Sequence, residues 1–177
     1  NTETFVHKIK MPTFLSSSWQ DEQTGGSAIN LAPFFDPATK LYVNATNGTH
    51  VEPMAPSELG ELIVFIDLYV GKRIPHTSSL LNLGAGEQIA SFFGSTDSAA
   101  FSLPFNIWNL QPSYASALAG YEAQKRVRIR WENGTVAGKE GLPFSPAETR
   151  YARWPIPGIT NEKLHLQPDG ALASVAP

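Results

Sequence analysis

Proline and glycine, fourteen of each, are scattered along the whole of this 177-residue chain and limit how long any element can be. Proline interrupts helix interiors and central strands, and glycine ends or bends them. Elements must therefore be short and loops many, although the combined share stays below that of disordered low-complexity chains. Leu, Ile, Val and Phe make up about a quarter of the residues, enough to build one core at this length. From Gly141 onward Pro143, Pro146, Pro155, Pro157, Pro168 and Pro177 leave no room for long elements. Residues 1–177 are therefore read as a single domain, with about 141–177 an extended, Pro-rich tail packing on it.

Several functional classes drop out on composition. Charged residues are 16% of the chain and the net charge is −3, which lacks the basic surface a nucleic-acid binder needs. The longest wholly apolar run, 62–66, is far too short to span a bilayer. Cysteine is absent, which removes disulfides, thiolate nucleophiles, iron–sulfur clusters and Cys-ligated zinc together. His7, His50, His76 and His165 show no metal-ligand spacing, and there is no Walker A sequence or Gly-x-Ser-x-Gly elbow. No cofactor is therefore expected.

Residues 5–10 alternate as a strand would. Residues 40–44 meet Asn47-Gly48 and continue through 49–51, the pattern of a β-hairpin. The strongest apolar segment, 62–70, is rich in β-branched and aromatic residues. A helix from Ser57 competes with a strand there, because Leu59, Leu62, Ile63, Ile66 and Val70 would share one helical face. Val64, Phe65 and Leu68 would then lie on the opposite side, so a buried strand is preferred. Helices are expected over 86–93 and 112–123, the second with proline near its start and several alanines. Residues 126–132 give the cleanest alternation, with Val127, Ile129 and Trp131 inward, Arg126, Arg128 and Arg130 outward, and Asn133-Gly134 turning the chain back. The sum is an α+β fold: a mainly antiparallel sheet, curved or barrel-like, with about two short helices.

The stretch 79–93 places Gly84-x-Gly86 between a short apolar run and a helical pattern, and so loosely resembles the first nucleotide-binding turn of class I methyltransferases. That family expects an acidic residue where Asn82 stands and glycine where Gln88 stands, and only Asp97 follows as an acid over 95–112. The stretch is read instead as a glycine turn before a helix.

Three Asn-x-Thr sequons begin at Asn44, Asn47 and Asn133, and two fall on Asn-Gly, which suits an exposed hairpin tip. With a first residue other than Met and no apolar leader ahead of it, the expectation is a secreted glycoprotein from which a signal peptide has been removed.

Asp67 is the most informative single residue, because it stands between Ile66 and Leu68 inside the apolar segment. A buried carboxylate must be paired or protonated, and a raised pKa suits general acid or base work. With Tyr69, Trp108, Trp131 and Arg130 as substrate-binding candidates, the leading expectation is a small-molecule-acting domain with an aromatic-lined apolar pocket. As an enzyme it would be a cofactor-independent isomerase, cyclase or lyase acting on an apolar or aromatic molecule. The alternative is a non-catalytic module binding carbohydrate or lipid, and a third reading is a homodimer formed through a sheet edge.

Overall fold

The computed structural model describes residues 3–24, 27–76, 79–160 and 162–176. The fold is α+β, and its centre is a four-stranded open sheet in the order β1 (Thr13–Ser18), β2 (Leu41–Thr46), β3 (Val127–Trp131), β4 (Ala147–Tyr151). β1, β2 and β3 run parallel and only β4 is antiparallel, so the sheet is mixed rather than mainly antiparallel, and it does not close into a barrel. A two-stranded antiparallel ribbon, β5 (His165–Leu166) with β6 (Leu172–Ala173), lies in the tail.

A parallel sheet needs cover on both faces, because its crossovers run over them. One face carries Val43, Ala45, Val127 and Ile129, packed against Ile29 and Ala32 of a 3-10 segment, Ser27–Phe34, and against Ile156 of the tail. The other face is covered by the connection from β2 to β3, which holds α2 (Pro56–Tyr69), α3 (Ser79–Phe92) and α4 (Tyr114–Glu122). The fourth helix, α1 (Glu3–Val6), is a single turn at the start, where alternation over 5–10 predicts a strand. Among the described residues no helix is long and apolar enough to cross a membrane.

Residues 62–70 are helical, not a strand, and the reason is the number of surfaces that α2 touches. Val64, Phe65 and Leu68 pack with Tyr42, Ala117 and Tyr121 against the sheet and α4. Leu59 and Ile63 pack with Ile89, Phe101 and Leu103 of a separate cluster around α3. A helix buried on two sides has apolar residues on two sides, so the pattern that argues against an amphipathic surface helix is what a sandwiched one requires. Pro56 at its first position sets its start, with no side-chain cap ahead of it.

Two further expectations are overturned. Gly84 and Gly86 lie inside α3 rather than in a turn before it, and a Cβ on Gly86 would come within 2.5 Å of the Ser98 carbonyl oxygen. Gly86 serves close packing against the 98–102 segment. The hairpin at Asn47-Gly48 does not form either, because β2 is a central strand with parallel partners on both sides.

Candidate functional site

Parallel register stacks polar residues into two rows on the face beneath α2. Ser16, Asn44, Arg128 and Arg150 form one row, and Ser18, Thr46, Arg130 and Glu148 the next, at the carboxyl ends of β1, β2 and β3. The arginines expected outward in solvent are therefore covered by a helix. Arg130 is 6% exposed and pairs with Glu58 from the first turn of α2, while Asn44 Nδ2 donates to Glu58 Oε2 at 3.1 Å. Ser18 and Thr46 share a buried hydroxyl contact at 3.3 Å. Burial brings the Arg130 guanidinium down to about 10, against the opposing charges of Glu148 and Glu52.

Beyond this last row the chain leaving β1 turns to one face of the sheet and the chain leaving β2 turns to the other. Such a divergence opens a crevice at the carboxyl edge, where open α/β sheets bind their ligands. Here a hollow of about 390 Å³ is bounded by Gln20 after β1, by Asn47, Thr49 and Glu52 after β2, and by Asn133 after β3. Phe93, Leu142 and Pro143 give it an apolar side. Backbone bonds carry the sheet up to its rim: Gln20 N donates to the Gly48 carbonyl at 2.9 Å and Asn47 N to the Arg130 carbonyl at 3.1 Å.

Glu52 is the group with chemical capacity. It is 4% exposed yet lines the hollow, and burial pushes its carboxyl up to about 7, against the lowering influence of a backbone hydrogen bond involving Thr49 and of the Arg130 charge. Asn133 Nδ2 donates to its Oε1. Gly48 makes the room, since a Cβ there would collide with the Glu52 side chain. Asn-Gly at 47–48 thus supplies space rather than turn chemistry. A carboxyl that is half protonated near neutrality can give or take a proton, and amide groups at Gln20, Asn47 and Asn133 can hold a polar molecule against it.

Beside this hollow in the chain, His50 Nδ1 lies 3.1 Å from Asp21 Oδ1. Hydrogen bonds from Thr24, through its hydroxyl and its backbone N–H, hold Asp21 well below the usual carboxylate range. A carboxylate only accepts, so His50 Nδ1 is the donor to Asp21. Among the described residues no group of three or more His, Asp or Glu is placed to hold a metal ion.

The residues expected to form one site are spread over the molecule. Asp67 is buried, but it accepts from Arg73 Nε at 2.8 Å and His76 N at 3.1 Å, and it does not line the crevice. Nine residues separate it from Glu58, about 14 Å along the helix. Tyr69 bonds Tyr42 and Glu122 at 2.9 Å each near the same end of α2. Trp108 lines a different cleft, beside α4. Trp131 packs in a tilted pair, 5.6 Å from Trp19, on the opposite face of the sheet. Of the named candidates only Arg130 stands beneath the crevice. Asn44 is buried and bonded to Glu58, where a glycan has no room, whereas Asn47 and Asn133 are half-buried at the crevice itself. Glu52 went unmarked in the sequence because its neighbours Val51 and Pro53 carry no periodic pattern; only the parallel topology gives it a place.

The chain matches no family model, no curated protein and no solved structure. Its geometry alone carries the functional reading.

Proposed function

We propose that this is a small-molecule-acting domain whose chemistry is cofactor-free proton transfer at the carboxyl edge of the sheet, with Glu52 as the acid–base group. The observation that carries this is a buried carboxyl poised near neutrality and facing a crevice of about 390 Å³. Proton transfer of this kind underlies isomerisation and elimination next to a carbonyl, which need only a positioned acid–base group and a donor to the developing oxyanion. Asn133 at the rim is the donor within reach, and Arg130 beneath it favours negative charge. The role given to Asp67 by the sequence passes to Glu52.

A second reading, carbohydrate binding without turnover, is favoured by the amide-rich lining of Gln20, Asn47 and Asn133, which suits sugar hydroxyls. Export with N-glycosylation rests on the sequons at Asn47 and Asn133. A glycan on either would fill the crevice, so the mass of secreted chain before and after glycosidase treatment separates occupied from open sites.

The test is solvent exchange. A panel of small hydroxycarbonyl compounds and sugars in D₂O is followed by proton NMR with wild type and Glu52→Gln. Exchange at a carbon next to a carbonyl, lost in the variant, supports proton transfer. Sugar binding without exchange supports the module reading, and neither result in wild type overturns the site.

A further inference from the structure

A second cleft, lined by Ser57, Gly60, Glu61 and Val64 of α2, does not include Glu52. Two adjoining hollows, the larger about 250 Å³, share Glu61, Gln124, Arg128 and Arg150. Lys125 and Arg126 add positive charge to the smaller one, so their combined lining carries four cations against the single carboxylate of Glu61.

Register sets Arg128 directly opposite Arg150, a like-charge pair that is unfavourable unless something sits between the two. Glu148 does so, with Oε2 on Arg128 Nε and Oε1 on Arg150 Nε, and Glu61 adds to this only in part. Glu61 Oε1 lies 2.8 Å from Arg128 Nη1 but 3.6 Å from Arg150 Nη2, too long for a hydrogen bond. Arg150 spends Nε on Glu148 at 2.8 Å and Nη1 on Gln124 at 2.9 Å, so Nη2 at the cleft has only the long ion pair with Glu61. Asn106 lines the larger hollow and is 8% exposed, and its Nδ2, closed off from solvent, has no hydrogen-bond partner among the described residues.

The wall facing these donors is apolar and preformed. Phe105 is 71% and Ile107 57% exposed, and Trp108 packs edge-on to Tyr121 at 6.0 Å. Two glycines seat this loop. A Cβ on Gly60 would come 2.9 Å from Pro104, and one on Gly120 would come 2.7 Å from Trp108. Asn106 Oδ1 accepts from Trp108 N at 2.9 Å and locks the turn.

We infer that this cleft binds a small organic monocarboxylate with an aryl or alkyl body. The carboxylate takes Arg150 Nη2, and the apolar body lies against Phe105, Ile107 and Trp108. Arginine presents the planar fork that a carboxylate matches. Glu61 and Glu148 offset two of the four positive charges, so the cleft keeps a net attraction for an anion. The volume suits a single ring or a medium-length chain, below that of drug-sized ligands.

Isothermal titration with 4-phenylbutyrate and octanoate, against the neutral 4-phenylbutanamide, tests this. The acids should bind with Kd below about 1 mM, and the amide about tenfold more weakly. Arg150→Lys, which keeps the charge and loses the fork, should weaken the acids about tenfold while leaving the circular dichroism spectrum unchanged. Phe105→Ser, at an exposed position, should weaken acid and amide together, and Glu52→Gln should change neither. Equal affinity for acid and amide, no effect of Arg150→Lys, or no binding by either acid would overturn the inference.

Discussion

Asp67 and Glu52 are both buried carboxyl groups, and their neighbours decide what each does. Asp67 is surrounded by donors: Arg73 through two nitrogens and the backbone N–H of His76. It ties the chain leaving α2 back onto the helix. Asp67→Asn should cost about 1–2 kcal/mol in urea unfolding while leaving proton exchange at the crevice intact. Loss of exchange with unchanged stability would return the chemistry to Asp67. An acid inside an apolar run points to burial, and Asp67 is buried. The sequence did not show the partners, since Arg73 and His76 arrive through the turn after the helix. Glu52 is the reverse case: its burial comes from loops that meet only once three parallel strands are aligned.

At the scale of elements, the alternation of 126–132 was legible and its orientation was not. Val127 and Ile129 do share a core face, and Arg128 and Arg130 do share the other. Which face is covered depends on where α2 lies, and α2 itself reads ambiguously because it is buried on two sides. The acids at Glu58 and Glu61 were the missing signal, since their spacing of three places both on one face of a helix, toward the sheet's arginines. The pair Glu58–Arg130 is almost fully buried, at 2% and 7% side-chain exposure. Arg130→Met strands the Glu58 charge and should cost about 3–5 kcal/mol, whereas Arg130→Met with Glu58→Leu should recover most of that loss. Urea midpoints for the two variants check this, and additive losses would contradict a mutual pairing.

For the whole molecule, a raised carboxyl makes stability depend on pH with a definite sign. Glu52 has a folded value of about 7 against an ordinary 4.5. Between these values the folded chain holds a proton that the unfolded chain has released, so Glu52 makes stability fall as pH rises through that window and adds no further change above it. Glu52→Gln lacks this contribution, so its melting temperature should move increasingly above that of wild type from about pH 5 to pH 8. The origin of the effect is architectural. The chain leaving β1 and the chain leaving β2 go to opposite faces, and the gap between them holds a carboxyl away from water while leaving it a way out to a ligand. The most direct measurement is a ¹³C NMR titration of the carboxyl carbon of Glu52, assigned by its absence in Glu52→Gln. A midpoint near 7 is the expected result. A midpoint at the ordinary 4.5 would mean that Glu52 is ionised throughout the neutral range, and proton transfer from this crevice would be contradicted.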